Sequence, residues 1–334
     1  MKNVGLVYAG LVMFVFSGCR VSQDDELPAY RIMAAFNSPG NGFPPTLEQT
    51  SLFANLSEVT PRFGLVPYDV NAPLWTDGAK KKRWIFVPPE EQVSVNPAKP
   101  TEMVYPAGTL LVKHFSTDQG DPVETRVYAK KSDLKWYFGT YVWEQGREGP
   151  AVLSRNPRTV ERGGLSFRIP SENECQLCHD SQVKSDPTLG LEAPQLAVKP
   201  GEGLNNLEAI RKTKTYSIDA LRLLESADPI PSPADSMLPI ETRARAYLAI
   251  NCSPCHQPGG AAQEKKMDLR FATPLGSTDL LANNRIVPGR PEESLVIKKF
   301  TATTERMPPL SVRQDPLGRE VLTEWIRQWP SGKP

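Results

Sequence analysis

Histidine and cysteine are scarce in this chain, three and five in 334 residues, and the scarcity gives weight to where they stand. Four of the cysteines and two of the histidines sit in two pentapeptides, Cys175-Gln-Leu-Cys178-His179 and Cys252-Ser-Pro-Cys255-His256. Net charge is almost absent: 39 Lys and Arg against 38 Asp and Glu leave a formal +1, with a pI near 7.6. That balance excludes the basic face or tail of a nucleic-acid binder, so no nucleic acid is expected as a partner. A membrane-spanning run is lacking too, since the apolar stretch VGLVYAGLVMFVF at 4–16 falls short of the roughly 20 residues a spanning helix needs. Proline, by contrast, is in surplus: 33 residues, about twice the usual share of roughly 5%, predict long, stiff, irregular connections. The length fits two domains of ordinary size.

The first residues read as an export signal. MKN supplies a positive start, the apolar run follows, and SGC gives a small-residue stop ahead of Cys19. Phe16-Ser-Gly-Cys19 resembles a bacterial lipobox, with phenylalanine where leucine is usual. The resemblance implies lipidation of Cys19, a membrane anchor there, and a mature chain on the periplasmic or cell-surface side of a bacterial membrane.

Three chemistries compete for the two pentapeptides: disulfide, zinc and covalent haem. A structural zinc wants four nitrogen or sulfur ligands, and each pentapeptide offers three that are too crowded to close a tetrahedron; the one other histidine is His114. A redox-active Cys-X-X-Cys opens a helix in a βαβ unit, and neither motif follows a buried parallel strand pattern. Covalent haem uses every group present. The two thiols form thioethers and the next residue offers its imidazole to the iron, so the pattern predicts two covalently attached haem c groups, with His179 and His256 as iron ligands.

Around the second motif, ETRARAYLAIN at 241–251 has Ala244, Tyr247, Leu248 and Asn251 at helical spacing and runs into Cys252. At the far end, Val321, Leu322, Trp325, Ile326 and Trp329 mark an amphipathic helix opened by Asp315-Pro316 and closed by Pro330. Pro291-Glu-Glu begins another short helix, with acids at its positive end. Arg306-Met307-Pro308-Pro309 offers Met307 as the second axial ligand of this haem, in a loop stiffened by proline; Met267 is the rival and looks like ordinary packing. NCSPCHQP, MDLR, VPGRPEESL, RMPP and EWIRQW together resemble the small class I cytochromes c over roughly 238–330.

Residues 20–60 show little periodicity and read as a lead-in on the surface. From 61 onward, RWIFVP, GTLLVKHF, ETRVYAKK, KWYFGTYVWE and GLSFRIP alternate with Gly, Pro and Asp turns, a β-rich pattern. PYDVNAPLWTDGAKKKRWIFVP, PAGTLLVKHF, VETRVYAK, TYVW and IPSENECQLCH resemble the N-terminal part of a family of secreted dihaem c-type cytochromes. PAGTLLVKHF also resembles, more faintly, a β-sheet haem domain in which a lysine is cross-linked to the haem; Lys113 is the nearest candidate. For the second ligand of the first haem, His114, Met103 and Met237 all stand open, as does an iron with no sixth ligand. Trp136, Tyr137, Tyr141 and Trp143 read as core packing, and Lys80, Lys81, Lys82 and Arg83 as a solvated strand end.

The expected fold is therefore α+β: a β-rich N-terminal domain over 61–230 holding the first motif, then an all-α cytochrome c-like domain over 238–330 holding the second. The expected role is one-electron transfer with partner redox proteins. The alternative is a haem oxidoreductase acting on a small molecule, of peroxide or hydroxylamine type, at an open first haem.

Overall fold

The structure is a computed structural model that describes residues 23–179, 186–197 and 206–330. The export signal and Cys19 lie outside the described residues. The chain opens with helix α1 (Gln23–Ala35), followed by two short paired strands, β1 (Phe53–Asn55) and β2 (Thr60–Pro61). Next come β3 (Leu65–Pro67), β4 (Lys80–Phe86) and the β5 (Ser94–Asn96)–β6 (Lys99–Val104) hairpin. After these lie β7 (Leu110–Ser116), β8 (Pro122–Lys130), β9 (Trp136–Trp143) and β10 (Ala151–Ser154), then the β11 (Arg158–Arg162)–β12 (Leu165–Ile169) hairpin. Among the described residues seven further helices follow: α2 (Glu172–Gln176), α3 (Ala193–Leu196), α4 (Asn206–Thr213), α5 (Ile218–Ser226), α6 (Ile240–Asn251), α7 (Leu295–Thr301) and α8 (Pro316–Gln328).

The organising unit is one antiparallel sheet of six strands in the order β10-β9-β8-β7-β4-β3. Side chains alternate between its faces, and the two faces have different fates. One face carries Trp84, Phe86, Leu110, Val112, Val127, Ala129, Tyr141 and Trp143 into a core with Ile32 and Phe36 of the first helical region and with Phe43, Leu47 and Leu52. Fully burying one such large apolar side chain stabilises by about 1.5–3 kcal/mol. The described part of the lead-in expected over 20–60 thus contributes to the core and is not a surface segment. Its apolar residues come singly, from a short helix and then from irregular chain whose residues 45–47 bond to β10, so no sequence period announces them.

The other face is covered only at its ends. At one end Ile85, Leu111 and Tyr128 pack with Val66, Tyr105, Leu191, Leu196 and the helices α3 to α5. At the other, Phe115, Val123 and Val142 pack with Phe167 and Ile169 of β12. The middle of this face opens onto a cavity.

The expected succession of a β-rich domain and an all-α cytochrome c-like domain is not what the chain builds. Among the described residues the fold is β-rich, a six-stranded sheet with three small two-stranded ones, and helix makes up only 28%. Within 238–330 only α6, α7 and α8 are α-helical, separated by single-turn 3-10 segments and irregular loops. Prolines at 254, 258, 274, 288, 291, 308 and 309 deny helices there their backbone donors. Nor does the segment stand apart from the sheet, because the chain around Ser311–Arg313 is bonded to residues 75–77 of the β-rich part.

Helix α6 crosses α8 at close range. A Cβ at Gly318 would stand 2.1 Å from Cζ of Tyr247, so only glycine lets the two helices meet here. The Gly318→Ala variant is expected to lose about 1–3 kcal/mol of stability through overpacking, read as a lowered urea midpoint.

Candidate functional site

Both pentapeptides fold into the same local shape. The first sits at the end of α2, a helix opened by a capping box: Ser171 Oγ accepts from the Glu174 N–H at 3.3 Å, and Glu174 Oε2 accepts from the Ser171 N–H at 2.8 Å. The N–H groups of Cys178 and His179 then both donate to the carbonyl of Cys175, at 3.2 and 3.1 Å. The second follows α6, whose C-cap is Cys252. There the N–H groups of Cys255 and His256 both donate to the carbonyl of Cys252, at 3.2 and 2.9 Å. One tight turn therefore presents two thiols and an imidazole, and the chain makes it twice. The chain after the second turn doubles back against it, since a Cβ at Gly260 would stand 2.4 Å from the carbonyl oxygen of Cys255.

The turns open into one cavity of about 1160 Å³, lined by all four cysteines, His179, His256 and Met307. That volume exceeds the roughly 300–1,000 Å³ of a pocket for one small ligand. The motifs adjoin: Cys255 Sγ lies 3.3 Å from the carbonyl of Leu177, next to Cys178, and the interaction between the neighbouring Cys178 and Cys255 thiols pushes Cys178 up and Cys255 down in pKa. Burial pushes the other two thiols up, Cys175 to about 11 and Cys252 to about 12. No disulfide links these four residues.

The two histidines are held differently. Nδ1 of His179 lies 2.8 Å from the carbonyl of Pro187, and its ring packs edge-on against Tyr128 and tilted against Phe138, at 4.9 and 5.5 Å between centroids. A ring nitrogen tied to a carbonyl fixes the tautomer and directs the opposite nitrogen outward as a ligand. Pro187 is itself positioned by its neighbour Asp186, a buried carboxylate bonded to Lys130 Nζ at 2.6 Å, Trp136 Nε1 at 2.6 Å and the Tyr105 N–H at 3.1 Å. His256 is anchored through its backbone, with its carbonyl accepting from Leu269 N at 3.0 Å, while its buried Nδ1 has no hydrogen-bond partner among the described residues. Burial lowers its pKa and so favours the neutral imidazole that metal ligation requires.

Met307 lines the cavity, in the loop ahead of α8. That loop is gripped by Asp77, whose Oδ1 accepts from Ser311 Oγ at 2.7 Å, Val312 N at 2.9 Å and Arg313 N at 2.8 Å. The other oxygen accepts from Arg168 N at 3.0 Å, on the strand that leads into the first motif. Nearby, the Trp75 N–H donates to Asn251 Oδ1 at 2.8 Å, one residue before Cys252.

The remaining candidates fall elsewhere. His114 points to the opposite sheet face, 3% exposed, 2.9 Å from Thr125 Oγ1 and edge-on to Trp143, with its pKa lowered to about 3 by burial. Met103 is buried in the core beneath Tyr105, Met237 is 89% exposed, and Met267 packs on the C-terminal core. None of the four lines the cavity, whereas Lys113 does. Tyr141 and Trp143 are core residues as expected from burial of a sheet face. The run Lys80–Arg83 is only half solvated: Lys80 and Lys82 are exposed, while Lys81 and Arg83 line the cavity. Strand alternation was the available signal for this split. Among the described residues no group of three or more His, Cys, Asp or Glu is gathered as a metal cage, and no helix is long and apolar enough to cross a membrane.

No protein-family model matches the chain, and no curated protein or solved structure was found to be similar to it.

Two outcomes are expected. Asp77→Ala strips four donors of a charged acceptor, at about 1.5–3 kcal/mol for each such bond before relaxation; a lower unfolding midpoint and faster proteolysis near Ser311 check it. His114 folds neutral with a pKa below its ordinary 6.5, so the unfolded chain takes up the proton first and stability is lost as pH falls from 6.5 toward 3. His114→Gln should flatten that acid loss by up to about 1.4 kcal/mol per pH unit, measured as urea midpoints at pH 7 and 4.5.

Proposed function

We propose that this chain is a dihaem c-type cytochrome that carries single electrons between partner redox proteins in the bacterial cell envelope. The observation that carries the reading is the convergence of two identically folded Cys-X-X-Cys-His turns on one cavity, with Cys178 neighbouring Cys255. Cys175 and Cys178 would hold one haem and offer it His179; Cys252 and Cys255 would hold the other and offer it His256, with Met307 as second axial ligand. When bound, haem supplies a one-electron iron couple whose potential follows its axial ligands, burial and hydrogen bonding. The chain's own part is to fix the imidazoles, keep them neutral and wall the site against water. Export with lipid attachment at Cys19 completes the proposal and would tether the carrier to a membrane.

One observation favours a second reading. His114, Met103 and Met237, the residues weighed as second ligand at the first haem, all lie off the cavity. An iron open on that side would bind small molecules, so the chain would be a haem oxidoreductase of peroxide or hydroxylamine type, with the second haem as electron relay.

Intact-mass spectrometry of the exported protein is expected to show two added porphyrins. A mass without them refutes both readings. Carbon monoxide binding by one haem of the two selects the oxidoreductase, and two low-spin centres select the carrier. Met307→Ala is expected to turn one haem high-spin while leaving the porphyrin count at two, seen in the ferric absorption spectrum.

A further inference from the structure

The sheet face that floors the cavity places three cations in one row. Arg83 on β4 pairs in register with Lys113 on β7, and Lys113 pairs with Arg126 on β8; Thr140 on β9 extends the row. All four line the cavity. Neighbouring strands lie about 4.8 Å apart, so the three charged heads span on the order of 10 Å. Like charges directly opposite one another destabilise a sheet, and here three stand side by side in one row.

The protein offsets part of this charge. Asp69 lies 2.6 Å from Arg83 Nη1, Glu124 pairs with Arg126, and Lys113 Nζ donates to the carbonyl of Leu189 at 3.2 Å. Glu192 also reaches Lys113 electrostatically and accepts from Gly190 N at 2.8 Å, and a fourth cation, Lys81, stands in the next row opposite Phe115. Yet among the described residues Nε of Arg126 is buried with no hydrogen-bond partner, as is Oε2 of its partner Glu124. Burial, with the flanking guanidiniums, drives the Lys113 ammonium down to about 8.

We infer that Arg83, Lys113 and Arg126 form a carboxylate-binding site on the cavity floor, with Thr140 as a further hydrogen-bonding group. Planar guanidiniums grip carboxylates in paired bonds, and a desolvated lysine adds a point charge. The chemistry has two sources: the propionate side chains of a haem in the cavity, which rests on the haem reading, or a free carboxylate that enters it, which does not.

The test uses the exported full-length protein and Lys113→Gln, with Lys113→Arg as the control that keeps charge and packing. Binding of malonate is titrated by calorimetry, the propionate bands of the haems are read by resonance Raman, and both reduction potentials are measured. A haem propionate on the row predicts that Lys113→Gln shifts one haem's propionate band and lowers its reduction equilibrium about tenfold, 59 mV for one electron. A free carboxylate predicts unchanged bands and malonate binding weakened about tenfold. Lys113→Arg should restore either behaviour, and haem loss in Lys113→Gln that Lys113→Arg repairs also supports the site. Bands, potentials and malonate binding all unchanged in Lys113→Gln overturn it. A wild-type chain without porphyrin sinks the haem reading alone, because malonate binding still tests the row.

Discussion

The buried carboxylate of Asp77 is the point on which the arrangement turns. Its two oxygens accept four hydrogen bonds, three from the loop at Ser311–Arg313 and one from Arg168. Arg313 returns a bond from its guanidinium to the Asp77 carbonyl at 2.8 Å. Asp77 sits with a positive φ of 50°, in a turn that also presents Trp75 to Asn251 and to Ser311. A single loop between β3 and β4 thus touches the strand before the first motif, the helix before the second, and the loop that carries Met307. Charge-assisted bonds to backbone donors are short and directional, so this loop sets how three segments distant in sequence face the same cavity.

The sheet supplies the rest by being two-faced. A face packed on an ordinary apolar core anchors it, which frees the middle of the other face to carry cations and to support His179 on Tyr128 and Phe138, whose rings stack at 4.3 Å. Buried like charges of this kind cost stability wherever they are not matched. The core behind them, with Trp143, Tyr141, Phe86 and Leu110 all nearly sealed from solvent, is what can carry that cost.

Much of the site was legible in the sequence because it is local. Five consecutive residues determine each turn, and strand alternation separates Lys113 from His114 without any knowledge of the fold. The same alternation splits Lys80–Arg83, but reading the run by its charge alone treats four residues on two faces as one solvated patch. What stayed hidden is non-local. Nothing in LWTDG shows that Asp77 will bind residues more than 230 positions later, and nothing in 20–60 shows that Phe43 and Leu47 will close the core behind the sheet. The all-α expectation for 238–330 failed for a related reason: real helical periods at α6 and α8 were extended across proline-rich chain that ties back to the β-rich part.

The two histidines show how one motif can be tuned twice. His179 has its Nδ1 on the Pro187 carbonyl, and Pro187 is steadied through Asp186 by Lys130, Trp136 and Tyr105. Such a bond raises the basicity of the opposite ring nitrogen and so favours the more highly charged metal state. Among the described residues His256 receives no comparable bond, and its proposed partner Met307 is a thioether, a ligand that raises potential. Under the proposed function both differences would push in one direction, toward a lower potential for a haem held at His179 than for one held at His256. The asymmetry between the two imidazoles, one tied through Nδ1 to a carbonyl and the other not among the described residues, and not the shared motif, is what would set the two haems apart.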